Sequence, residues 1–122
     1  MDKILIIAGE ASGDLLGAEL YKALRPKRTP IDCFGMGGKL MQEAGVNILT
    51  NSDDLAVVGG VEVMKHFNKI RKAYRTIKKA IKQRKPNLVI LIDYPGFNLR
   101  IAKLAKKRGC KVFSVSKLSS NH

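Results

Sequence analysis

The chain has 122 residues, a formal net charge of +13, 45% apolar side chains, two cysteines and no tryptophan. That length makes one domain with one core, in no need of a disulfide or metal staple, and the apolar fraction excludes a disordered tail. The longest apolar runs, Ile4–Ala8 and Leu88–Ile92, span five residues each, against about 20 for a membrane-spanning helix.

Ile4–Ala8 reads as a buried strand bounded by Gly9, too near the start to leave room for a signal peptide, so the expected compartment is the cytoplasm. Gly9-Glu10-Ala11-Ser12-Gly13-Asp14 follows, then a helix with Leu15, Leu16, Ala18, Leu20, Ala23 and Leu24 apolar, ended by Pro26. Ile31–Phe34 is a second short strand, leading into Gly35-Met36-Gly37-Gly38. Lys39–Ala44 is a short helix that stops at Gly45. Val46–Leu49 is a third strand and Thr50–Asp54 a polar loop.

From Val61 the pattern becomes a long helix. Met64, Phe67, Ile70, Tyr74, Ile77 and Ile81 recur at spacings of 3 and 4 as one apolar face, with lysines and arginines around the rest. Leu88–Ile92 is the fourth strand, and Asp93–Phe97 a loop leading to Asn98, a predicted N-cap. The next helix runs to about Arg108, its basic last turn suiting the helix dipole, with Gly109 as the stop. Lys111–Val115 is a fifth strand, and 116–122 has no pattern. Strict alternation of strand and helix predicts a Rossmann-like α/β domain over 1–115, a parallel sheet of about five strands with helices on both faces.

The charge is unevenly spread. Residues 1–62 hold six Lys/Arg and nine Asp/Glu, net −3, whereas 63–122 hold seventeen Lys/Arg and one Asp/Glu, net +16. Asp93 is that one carboxylate. Such a half-chain predicts an anionic partner, whether a membrane surface, a phosphorylated ligand or nucleic acid, or else a solvated basic helix face. Aromatic residues at 6% and a basic helix without interleaved stacking residues disfavour nucleic acid. Cys33 and Cys110 match no metal-ligand spacing, and no metal or cofactor is expected.

Ligands of open parallel sheets bind at the carboxyl ends of the strands, and three loops leave such ends here. Gly9–Asp14 combines two glycines with a helix N-terminus and suits a phosphate or sugar oxygen, although it lacks the Gly-Lys-Ser/Thr ending of a P-loop; equally, Ser12 or Asp14 caps the helix. Gly35–Gly38 lacks the third glycine of a dinucleotide fingerprint and reads as a tight turn. Asp93 ends the most apolar strand, where it serves either as a general base or as an acceptor for loop N–H groups. Glu62 is explained by the dipole of the long helix, and His66 has no partner motif.

Taken together, these loops resemble a known family. Gly9-Glu10-Ala11-Ser12-Gly13-Asp14 after an N-terminal strand, Gly35-Met36-Gly37-Gly38, Leu55-Ala56-Val57-Val58-Gly59-Gly60-Val61-Glu62-Val63 and Asp93-Tyr94-Pro95-Gly96-Phe97-Asn98 are similar, in order, to motifs of lipid-A-disaccharide synthase. The resemblance implies the N-terminal, acceptor-side half of a GT-B-type inverting glycosyltransferase. Such enzymes join UDP-2,3-diacylglucosamine to 2,3-diacylglucosamine 1-phosphate, giving the lipid A disaccharide 1-phosphate and UDP, at the cytoplasmic face of the inner membrane.

On this resemblance Asp93 is the general base, and Glu10, Ser12, Gly13 and Asn98 line the substrate cleft. It implies an anionic membrane surface as partner and no metal. Gly96 stands where many members carry a second Asp, so no second carboxylate is assigned. The family continues with Ser-Pro-x-x-Trp-Ala-Trp, whereas Lys117 follows Ser116 here and no tryptophan occurs. The expectation is that the nucleotide-sugar domain is absent and that these residues alone do not catalyse transfer. A basic α/β module binding nucleic acid or another polyanion is the alternative.

Overall fold

The computed structural model describes residues 2–25, 30–55 and 63–115. Strands β1 (Asp2–Ala8), β2 (Ile31–Gly37), β3 (Asn47–Asn51), β4 (Leu88–Ile92) and β5 (Lys111–Val115) form one all-parallel sheet in the order β3-β2-β1-β4-β5. Helices α1 (Ala11–Leu24) and α2 (Lys39–Ala44) cover one face, and α3 (Val63–Arg84) and α4 (Phe97–Lys107) the other. The chain winds outward from β1 to β3, then returns to lay β4 against the free side of β1. Crossovers between parallel strands are right-handed, so reversing the direction of travel moves the helices to the opposite face. The result is the expected doubly wound α/β sheet.

Because both faces are covered, β1 is apolar at every position from Ile4 on. Leu5 and Ile7 enter the core under α3 and α4, while Ile4, Ile6 and Ala8 enter the core under α1 and α2. Strand β5 runs over the predicted residues, and Gly45 and Gly109 both end helices at positive φ (118° and 81°).

Four expectations change. The second strand does not stop at Phe34 but continues through Gly35-Met36-Gly37, because β1 and β3 pair with it on both sides. The third begins one residue later and runs to Asn51, and a 3-10 turn over Ser52–Leu55 replaces the polar loop, with Ser52 buried. Helix α1 buries Gly13, Asp14, Gly17, Ala18 and Tyr21 and packs Leu16, Leu20 and Leu24, partly buried, against the core, leaving Leu15 52% exposed. Helix α2 crosses too closely for larger residues: a Cβ on Gly17 would stand 2.7 Å from the Met41 sulfur. Finally, the α3 stripe is buried unevenly, with Ile70 and Tyr74 only partly buried against the core and the Met64 side chain outside the described residues. Ile77 and Ile81 are fully buried with Ala73 and Ala80 beside them, whereas Phe67 is 57% exposed. The predicted helix end at Pro26, Glu62 and the 116–122 tail lie outside the described residues.

The fold also sorts charge. Helices α3 and α4 carry thirteen Lys/Arg and no carboxylate on one face of the sheet. Helices α1 and α2 carry Lys22 and Lys39 against Asp14, Glu19 and Glu43 on the other. The two halves of the sequence thus become two electrostatically different faces.

Cys33 and Cys110 are free, and both are buried. Burial, with repulsion from the Asp32 charge added, pushes the Cys33 thiol from 9.0 up to about 12. The unfolded chain sheds this proton above pH 9 while the folded chain retains it. Stability from this site is therefore complete below pH 9 and is lost as pH rises toward 12, with a slope approaching about 1.4 kcal/mol per pH unit. Urea unfolding at pH 8 to 11 should show a steeper decline for the natural chain than for Cys33→Ala. Parallel curves would rule out this contribution.

Candidate active site

Strands β1 and β4 are neighbours, with Ala8 opposite Ile92 at their carboxyl ends. The loops that follow them, at Gly9 and at Asp93, therefore leave the sheet side by side, at the point where the winding reverses. Open α/β sheets form their ligand crevice there. The two loops touch. A Cβ on Gly9 would lie 2.5 to 2.7 Å from three atoms of the Tyr94 ring, so only glycine admits this packing. A Cβ on Gly13 would meet the Ala8 Cβ at 3.2 Å and Ile92 Cγ2 at 3.3 Å. The start of α1 thus lies directly over the ends of both strands.

Asp93 is half-buried, and its backbone N–H donates to the Val115 carbonyl at 2.8 Å, extending the pairing of β4 with β5 by one residue. The loop N–H groups do not bind its carboxylate. Among the described residues no hydrogen bond or ion pair engages that group. A carboxylate held in place by its backbone, with its oxygens free, is what proton abstraction requires.

Glu10 occupies the N-cap position of α1 in extended conformation (φ −139°, ψ 164°), yet its side chain makes no cap bond and is exposed. Burial, reinforced by the Glu10 charge, raises the Tyr94 hydroxyl above its ordinary value. Ser12 is exposed in the first turn of α1 and caps nothing. Asn98 is not the N-cap of α4. Gly96, at φ 81°, takes that position, and Asn98 sits one residue inside the helix. Its backbone N–H donates to Tyr94 O at 3.0 Å, and its Nδ2 donates to Ile92 O at 3.2 Å, which ties the loop to the strand before it. Its Oδ1 is buried with no partner among the described residues.

The fold therefore brings Glu10, Gly13, Asp93 and Asn98 to the carboxyl ends of β1 and β4, with Ser12 exposed in the first turn of α1. The second glycine loop is tied to the first through Asp14. Asp14, 6% exposed, accepts the N–H groups of Gly38 (2.8 Å), Leu40 (3.0 Å) and Met41 (3.0 Å). It caps α2, not its own helix, which decides the capping alternative left open for it. Tyr94 is the site residue that sequence reasoning passed over. Nothing local indicates that its ring lies on Gly9, because the two are joined only through strand order. Among the described residues no group of three or more His, Cys, Asp and Glu is placed to hold a metal.

The fold is a doubly wound α/β domain, with the Asp93 carboxylate unengaged among the described residues at its switch point. The family can be stated more narrowly. The chain belongs to the lipid-A-disaccharide synthetase family, whose model matches residues 4–116. It is 53% identical over 109 residues to a lipid-A-disaccharide synthase of Coxiella burnetii (strain Dugway 5J108-111), covering 89% of this chain and 29% of that protein. A Trichlorobacter lovleyi protein of the same name is 52% identical over 110 residues, covering 90% and 29%. A Koribacter versatilis one is 43% identical over 113 residues, covering 92% and 30%. The chain spans about three-tenths of the length of these curated relatives.

Proposed function

We propose that residues 1–115 form the acceptor-side domain of a GT-B-type inverting glycosyltransferase that makes the lipid A disaccharide. The donor is UDP-2,3-diacylglucosamine and the acceptor 2,3-diacylglucosamine 1-phosphate. Asp93 takes the proton of the acceptor 6-hydroxyl as that oxygen attacks the donor's anomeric carbon from the side opposite the nucleotide. The new C–O bond forms as the anomeric carbon–phosphate oxygen bond breaks, and UDP leaves with the electron pair. Glu10, Ser12, Gly13 and Asn98 line the substrate cleft. The observation that carries the reading is the Asp93 carboxylate, unengaged at the switch point of a chain belonging to this family.

The coverage of only 29% of the relatives supports placing the donor-nucleotide half outside these residues. The basic α3–α4 face suits an anionic inner-membrane surface on the cytoplasmic side, where each Lys or Arg contributes about 1 kcal/mol. Among the described residues no helix is long and apolar enough to cross a membrane, which fits a peripheral association.

The test is a chimera in which this chain replaces the matching segment of the Coxiella burnetii synthase. Given both substrates, the chimera should release UDP, and the 122 residues alone should not. Asp93→Asn in the chimera should lower kcat by roughly 10²- to 10⁴-fold with KM little changed. Turnover within a few-fold of the parent would remove Asp93 as the base.

A further inference from the structure

Toward its start the α3 apolar stripe is only partly covered, with Ile70 and Tyr74 packing against the core and Phe67 standing exposed. It forms one wall of a groove of about 400 Å³, whose other wall is the turn that follows Asp93. Ile70, Tyr74 and Phe97 are among its lining residues, with the Tyr74 and Phe97 rings edge-to-face at 6.1 Å and Tyr94 tilted against Phe97 at 5.5 Å. Phe67 stands at the open side, 57% exposed, with the Arg71 guanidinium 5.2 Å over its ring. Arg100 completes the lining, and no carboxylate takes part in it. A pocket of this volume is of small-molecule size, and an apolar floor beside two cations with no salt bridge among the described residues is complementary to an anionic amphiphile. Tyr94 joins the groove to the crevice: it lines the groove, its ring lies on Gly9, and it follows Asp93 in the chain.

We propose that this groove is the acyl subsite of the acceptor, holding one hydrocarbon chain over Phe67, Ile70 and Tyr74 while Arg71 and Arg100 face the acceptor's phosphate. The inference rests on the transferase reading above. In that acceptor the 6-hydroxyl lies on one side of the sugar ring, and the phosphate and acyl groups lie on the other. A sugar spanning Tyr94 thus presents its hydroxyl to Asp93 and its acylated, charged end to the groove. The concave shape favours a single chain of a monomeric ligand over a bilayer surface.

Calorimetric titration of the chain with octyl, decyl and dodecyl phosphate, each below its micelle concentration, tests this directly. Tyrosine emission gives a second readout, since Tyr74 and Tyr94 line the groove and there is no tryptophan. The expected result is saturable one-to-one binding that tightens up to about fourfold per added methylene. Arg71→Gln and Arg100→Gln should each weaken it about tenfold. Phe67→Asp should abolish it, with the urea midpoint unchanged because the ring is largely exposed. Asp93→Asn should leave it intact.

Equal binding of dodecyl maltoside, or of inorganic phosphate, overturns the proposal by removing the charge or the chain requirement. Binding to phosphatidylglycerol vesicles without binding of the monomeric alkyl phosphates overturns it in favour of a membrane surface. The two readings fail separately. A chimera inactivated by Asp93→Asn but indifferent to Phe67→Asp and Arg100→Gln keeps the transferase and removes the subsite. Alkyl phosphate binding in a chimera that transfers nothing does the reverse.

Discussion

Replacing Asp14 with alanine should cost about 3–5 kcal/mol of folding stability, enough to remove much of the 5–15 kcal/mol typical of a domain. The carboxylate is buried and takes three backbone N–H groups at 2.8 to 3.0 Å, from Gly38, Leu40 and Met41. These are donors at the start of α2 that no helical carbonyl reaches. Truncation leaves them without a partner, at about 1–3 kcal/mol for each that water fails to reach. It also removes a negative charge from the positive ends of both α1 and α2. Asp14→Asn keeps one acceptor oxygen but turns an amide N–H toward a donor, so it should lie between the two. Urea denaturation followed by circular dichroism reads the series, and an alanine variant within about 1 kcal/mol of the natural chain would show that the triple cap adds little. Because Asp14 ends the Gly9–Asp14 loop, the variant should also loosen that wall of the crevice.

Gly35→Ala should be more damaging still. In mid-strand β2, opposite Ile6, its added Cβ would fall 1.9 Å from the Ile6 carbonyl oxygen and 3.0 Å from the Ile6 nitrogen. The clash is with the backbone of the central strand, so no rotamer change relieves it. At φ +156° the position is also one that side chains rarely adopt. A loss beyond about 4 kcal/mol is expected, with little folded protein at 25 °C. Gly109→Ala is the matched control. It shares a positive φ (81°) but would meet nothing within 4 Å, so it should cost only about 1–2 kcal/mol. Equal losses at both positions would mean that φ rather than the backbone contact sets the cost.

Local pattern made much of this legible. The buried strands announce themselves as the unbroken runs Ile4–Ala8 and Leu88–Ile92, because a sheet covered on both faces needs no polar alternation. Gly45 and Gly109 mark helix ends for a reason intrinsic to the residue. The misreadings share the opposite character. Gly35–Gly37 looks like a turn by composition and is a strand because two neighbours pair with it. Asn98 has the residue type of an N-cap, but Gly96 turns the chain first and leaves the amide to bind Ile92. Phe67 has helical spacing for the core, but it stays 57% exposed while Ile77 and Ile81 of the same stripe are fully buried.

The same division holds for the site. Four motifs in the right order were enough to point to the family, and an aspartate ending the most apolar strand was enough to mark Asp93, because both are properties of consecutive residues. That Gly9 and Tyr94 touch, that Asp14 reaches across to α2, and that Arg71 and Arg100 flank one groove depended on the order β3-β2-β1-β4-β5. Strand order is set by which apolar faces bury each other best over the whole domain. No stretch of neighbouring residues encodes it, and it was the tertiary structure that turned a net −3 and a net +16 half-chain into two faces of one sheet.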